Sequence, residues 1–180
     1  MHLFGLRSRA EADKIQPQPF LFMSLSIRRI APEDIEHVIS LMREFAAFEN
    51  LSEYCTVTPE RLSGAMFGPD AFVRGIIALD DEKPVAYTIF YPNFSSFRGE
   101  RGMYLEDIYI SPDHRRNNLG EILIKKIAKI ASELGFERID FQVLEWNAPA
   151  IGFYLKHGAE QNDDERHFKF SGDAFRVLAS

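Results

Sequence analysis

The chain has 180 residues, 46% of them hydrophobic and 27% charged, and a formal net charge of -6. That length and balance indicate one globular domain with a core of its own. The acidic charge argues against general affinity for nucleic acid or anionic lipid, and no apolar run is long enough to cross a bilayer. The one cysteine, Cys55, leaves no internal disulfide framework and fits a reducing cytoplasm; the five histidines show no metal-ligand spacing, so no metal site is expected.

Residues 1–22 have no clear period, contain Pro17 and Pro19, and lack the apolar stretch of a secretory signal. They read as a loosely ordered extension before a domain over residues 23–180. Residues 24–30 alternate as a strand. Pro32 opens a helix with Glu33 and Asp34 in its first turn, and Ile35, Val38, Ile39, Met42 and Ala46 form its apolar face. Thr58 and Pro59, a cap followed by proline, start a short helix to about Phe67. Residues 72–79 and 84–91 are two strands of a hairpin around the acidic turn 80–83. A further strand precedes Ser111, an amphipathic helix runs to Gly135, and residues 138–145 form the next strand. A short helix from Asn147 to about Lys156 stops at Gly158, and residues 166–170 alternate as a last strand. The order β-α-α-β-β-β-α-β-α-β implies a single α/β domain, a mixed central β-sheet with helices on both faces.

The chemistry concentrates in residues 104–134. A β-branched strand carries adjacent carboxylates, Glu106 and Asp107. A Ser111-Pro112-Asp113 turn stops it, and the cationic loop Arg115-Arg116-Asn117-Asn118-Leu119-Gly120 opens the amphipathic helix. Unpartnered N–H groups and the helix dipole make such a helix start an anion site, and arginine suits phosphate oxygens. The phosphate-loop pattern of nucleotide hydrolases fails because Gly120 is followed by Glu121 rather than Lys-Ser/Thr. The dinucleotide fingerprint fails for want of glycines. In a regular strand neighbours 106 and 107 point to opposite faces. If both serve one cleft, the strand must bulge there, and a bulge is predicted.

The loop, Arg-x-x-Asn-x-Gly, resembles the acetyl-CoA loop of the GNAT N-acetyltransferase superfamily, with Asn118 where that family has its middle glycine. Asparagine tolerates a left-handed backbone better than most residues, so the loop can still close. The stretch from Asn147 to Ala159, N-x-x-A-x-x-F-Y-x-x-x-G, is similar to a second motif of the same superfamily. With YLED at 104–107 and EWNAPA at 145–150, residues 24–170 resemble the diamine (spermidine/spermine) and thialysine N-acetyltransferase branch.

The resemblance implies acetyl-CoA as co-substrate, a small cationic amine as acceptor and a homodimer, with direct attack of the amine and no acyl-enzyme. It implies that the backbone at Ile108 and Ile110 pairs with the pantetheine arm. Arg115, Arg116, Asn117, Asn118, Leu119 and Gly120 cradle the pyrophosphate, and Asn147 hydrogen-bonds the cofactor arm. Tyr154 protonates the departing thiolate. Glu106 helps remove the amine proton, and Asp107, with Asp163 or Asp164, attracts the cationic chain. The branch has a tryptophan before its Arg-x-Phe-Lys strand where this chain has Glu165. The chemistry suits these residue types. A primary amine with a pKa near ~10.4 must lose a proton before attack, and a carboxylate raised by burial or a like neighbour can take it. Taken singly, Glu106 and Asp107 also read as edge-strand charges, Arg115 and Arg116 as a solvated turn, Asn147 as a helix cap and Tyr154 as core. Two other readings of the whole stay open: a GNAT enzyme for an amino acid, aminoglycoside or protein amine, and a non-catalytic acyl-CoA-binding module.

Overall fold

The computed structural model describes residues 25–180; the extension expected over residues 1–22 lies outside the described residues. Two compact units divide the chain, one through Phe141 and one over Gln142–Ser180.

The first unit is a five-stranded sheet in sequence order: β1 (Leu25–Arg29), β2 (Arg74–Asp80), β3 (Lys83–Ser95), β4 (Glu100–Ile110) and β5 (Ile139–Phe141). Neighbours β1 to β4 pair antiparallel, and β5 joins β4 in parallel. A parallel partner needs a crossover. Helix α3 (Leu119–Glu133) supplies it, packing Leu119, Leu123, Ile127 and Ile130 against Ile76, Ala86, Phe90, Met103 and Leu105. The opposite face of the sheet packs Ile77, Tyr87, Ile89 and Tyr109 against Val38, Ile39 and Leu41 of α1 (Ile35–Phe48) and Leu62 and Met66 of α2 (Pro59–Phe67). Helices therefore cover both faces, as the alternation of elements predicts.

Local chemistry sets the helix starts. Pro32 opens one tight turn before α1, where buried Asp34 accepts the Ala31 N–H at 2.8 Å and both terminal nitrogens of Arg28 at 2.5 and 2.8 Å. The Thr58 hydroxyl accepts the Arg61 N–H at the start of α2.

In the second unit, the Asn147 side chain accepts the Ala150 N–H at 3.3 Å and caps α4 (Ala148–Lys156). Gly158 follows with φ 86°. Two strand predictions need correction. The strand expected over 138–145 is only Ile139–Phe141. Its ladder on β4 ends at Leu105↔Phe141, and the next residue of β4, Glu106, is left out of the β3 register. The strand expected over 166–170 is absent: the alternation Arg-His-Phe-Lys-Phe finds no ladder among the described residues, and Phe168 and Phe170 are exposed. A helix missed by the sequence reading follows, α5 (Gly172–Leu178), with Ser171 at its cap position, Asp173 in its first turn and Arg176 in its last.

Candidate active site

The predicted bulge is present at the two carboxylates. Ile89 pairs with Asp107 and Phe90 with Leu105, so Glu106 is an extra residue in β4. Before the bulge Met103 and Leu105 face α3; after it Tyr109 faces α1. The face reversal puts Glu106 and Asp107 on the same side of the sheet, the side of α1 and α2.

A tyrosine of β3 holds each carboxylate there. The Tyr87 phenol donates to Asp107 at 3.0 Å, and the Tyr91 phenol donates to Glu106 at 2.7 Å. Tyr91 is itself placed by stacking on Tyr104, ring centres 5.3 Å apart, and by the edge of Phe72 at 5.9 Å. The two acids differ in setting. Glu106 is exposed and Asp107 half-buried. Burial pushes the Asp107 carboxyl up to about 6 against the opposing effect of the Tyr87 hydrogen bond, and the charges of Glu106 and Glu49 add to the rise. Burial also raises Glu49, at the end of α1, and raises Tyr87 well above the phenol range. The acid held up by burial and by a like neighbour is thus Asp107.

The bulge also opens an edge. The ladder to β5 stops at Leu105, and among the described residues no strand pairs with 106–110 on that side. Ser111 donates to Val85 at 2.9 Å, and from that pair the continuous register makes Tyr109 and Asp107 the residues bonded to β3. Alternation then turns the N–H and C=O groups of Ile108 and Ile110 away from β3. The Ile110 carbonyl accepts the Arg115 Nε at 2.8 Å.

Beyond β4, Arg116 and Asn118 have φ of 66° and 61°, and Leu119 begins α3. Left-handed residues in such a turn gather successive N–H groups at a helix start, an arrangement that takes anions. An open strand edge running into an anion-binding helix start fits an extended arm that ends in a pyrophosphate.

Asn147 and Tyr154 lie on α4 in the second unit. Asn147 caps that helix, and Tyr154 contacts Phe153 at 5.2 Å between ring centres, its phenol pushed up to about 12 by burial. Asp163 and Asp164 lie on an exposed loop, where Asp163 accepts from Gln161. The structure thus brings Glu106 and Asp107 together on one face of β4, has loop 115–120 follow that strand in the first unit, and carries Asn147, Tyr154, Asp163 and Asp164 on the second.

The sequence profile of the acetyltransferase (GNAT) family matches residues 38–159. The chain belongs to this family. A thialysine N-epsilon-acetyltransferase of Bos taurus is 32% identical over 164 residues, covering 85% of this chain and 96% of the relative. An L-ornithine N5-acetyltransferase of Arabidopsis thaliana is 35% identical over 197 aligned positions, covering 84% and 86%. Among solved structures, an aminoglycoside acetyltransferase from an uncultured soil metagenomic sample superposes with a TM-score of 0.71 at 22% identity, covering 83% of this chain and 97% of its own. An integron cassette protein of V. cholerae does so with 0.73 at 22%, covering 87% and 98%. These two likenesses carry the fold.

As a GNAT N-acetyltransferase the protein uses acetyl-CoA as co-substrate. Three residues escaped the sequence reading: Tyr87, Tyr91 and Glu49. Tyr87 and Tyr91 were legible as a same-face pair, four apart on a strand opposite the acids. Nothing in the sequence around Glu49 signals its place near Asp107, and Arg116, named for its charge, carries no sign of its left-handed backbone. Among the described residues no helix is long and apolar enough to cross a membrane.

Proposed function

We propose that the protein transfers an acetyl group from acetyl-CoA to a primary amine of a small polyamine, diamine or thialysine-like acceptor, by direct attack and without an acyl-enzyme. The single observation that carries this reading is the bulge that turns Glu106 and Asp107 to one face. Two carboxylates there attract an ammonium group, and one of them takes its proton. The curated relatives act, by their names, on thialysine and on L-ornithine, both small amines.

Acetyl-CoA supplies the acetyl thioester. In this reading the backbone of Ile108 and Ile110 holds the extended arm, loop 115–120 holds the pyrophosphate, and Asn147 holds the arm's amides. Glu106, exposed and oriented by Tyr91, removes the amine proton. Asp107, with Asp163 or Asp164, attracts the rest of the cationic chain. Tyr154, kept protonated by burial, gives the proton from its phenol oxygen to the departing sulfur, and the proton shed by the new amide nitrogen restores it. A homodimer and a cytoplasmic setting accompany the reading by family resemblance.

The test is release of CoA thiol from acetyl-CoA with spermidine, putrescine, thialysine, lysine and an aminoglycoside. Turnover confined to the diamine and thialysine group supports the proposal. Turnover confined to the aminoglycoside overturns the acceptor class, and binding of acetyl-CoA without turnover on any amine overturns catalysis.

A further inference from the structure

Arg115 is expected from the sequence to face phosphate, yet its side chain turns into the fold. Its Nε donates to the Ile110 carbonyl at 2.8 Å, and its guanidinium carbon sits 4.6 Å from the centre of the Phe48 ring and 5.6 Å from that of Tyr109. Phe48 and Glu44 are four residues apart on α1 and share a face. Glu44 accepts from the Tyr109 phenol at 3.3 Å and from the Ser111 hydroxyl at 3.2 Å. The last turns of α1 therefore grip both ends of the segment from Tyr109 to Arg115.

The segment that follows needs such a grip. Arg116 and Asn118 are both in the left-handed region, which asparagine tolerates but which arginine holds only where its surroundings favour it. Arg115 is the last residue before them, and its side chain lies on the Phe48 ring of α1. Phe48, on which it lies, immediately precedes Glu49, whose charge helps to raise Asp107.

We infer that Arg115 is a positioning residue: it fixes the pyrophosphate loop to the end of α1 through Phe48, Tyr109 and the Ile110 carbonyl, in place of contacting the phosphates itself. The inference rests on the proposal that residues 115–120 hold the pyrophosphate of acetyl-CoA. It assigns Phe48, which carries no polar atom in its side chain, a role in cofactor affinity. It also makes the guanidinium's shape, rather than its charge, the property that matters.

The experiment measures acetyl-CoA binding by calorimetry at low and high salt, together with KM and kcat, for the wild type, Arg115→Lys, Arg115→Gln, Phe48→Ala and the Arg115→Gln/Phe48→Ala double variant. Each single substitution is expected to raise the KM for acetyl-CoA by about tenfold while kcat stays within about threefold, and the double variant is expected to be no worse than the weaker single, because both break one contact. Lysine should fail as glutamine does, since it cannot stack and fork, and the salt dependence of binding should match the wild type. Arg115→Lys with wild-type affinity, Phe48→Ala without effect, or a flattened salt dependence in Arg115→Gln would each overturn the inference in favour of a phosphate contact. If Phe48→Ala does not fold, Phe48→Leu keeps the apolar volume and removes the ring face. A wild-type protein that binds no acetyl-CoA would instead sink the reading of the loop, and this inference with it.

Discussion

Tyr91 on β3 donates a 2.7 Å hydrogen bond to Glu106, the one residue of β4 left out of the β3 register. A bulged residue is free to re-aim its side chain, and this bond selects the direction. Burial and the Glu106 charge raise the Tyr91 phenol, so it remains a donor across the working pH range. Tyr91→Phe is expected to lower kcat/KM for the amine by about tenfold, the scale of a partly exposed hydrogen bond to a charged group, with little change in melting temperature. Glu106→Gln, which removes the carboxylate itself, should lower kcat/KM further. A Tyr91→Phe variant with wild-type kcat/KM would remove Tyr91 from the site.

Asp107 makes the second prediction, on stability. Its carboxyl stands at about 6 in the fold against an ordinary value of 3.8, chiefly through burial. The folded protein thus binds this proton more tightly than the unfolded chain does. The resulting stabilisation is complete below about pH 4 and is lost as the pH rises to about 6, at most about 3 kcal/mol. Asp107→Asn keeps an acceptor for the Tyr87 phenol and removes the charge. Relative to the wild type it should melt higher at pH 7.5, and the advantage should shrink toward pH 4. Melting curves at pH 4, 5, 6 and 7.5 check this; an advantage that does not vary with pH would show that Asp107 is not the titrating group.

The bulge also marks how far the sequence could be read. That Glu106 and Asp107 need one face, and that strand geometry forbids it, follows from the residues alone; so do both helix-covered faces, from the spacing of Val38 and Ile39 on α1 and Leu123 and Ile127 on α3. Ladder length did not. The pattern at 138–145 alternates correctly, but the pairing that ends β5 is set by a bulge on a different strand. The alternation at 166–170 likewise reads as a strand because period two is a statement about side chains, whereas a strand exists only where a neighbour completes its hydrogen bonds. The inward turn of Arg115 depends on Phe48, 67 positions earlier, and no local pattern encodes it.

Loop 115–120 gives the third prediction. Asn118 has φ 61°, a conformation that asparagine and glycine tolerate and a Cβ-branched or apolar residue does not. Asn118→Ala is expected to cost about 1 kcal/mol of stability and to weaken acetyl-CoA binding, whereas Asn118→Gly should leave both near the wild type. Arg116→Gly, which relieves φ 66° but adds backbone entropy, should be neutral within about 1 kcal/mol. Denaturant melts and calorimetry on the three variants decide the matter. Equal effects of alanine and glycine at 118 would mean that its side chain, and not its backbone, matters.

Tyr154 gives the last. Burial pushes its phenol up to about 12, so it carries its proton throughout pH 7–9 and can give it to a thiolate at any pH in that range. Tyr154→Phe removes the donor equally at all of them. The expectation is a fall in kcat of about a hundredfold, the low end of general-acid catalysis, uniform from pH 7 to 9 and with unchanged KM for acetyl-CoA. A tyrosine that merely packs would give a different result: phenylalanine keeps the ring, so kcat would stay near the wild type. A loss confined to one limb of the profile would point to an indirect effect on another titrating group. An acceptor whose amine is already unprotonated at pH 7 separates the two proton transfers, since it should bypass Glu106→Gln while leaving the Tyr154→Phe defect in place.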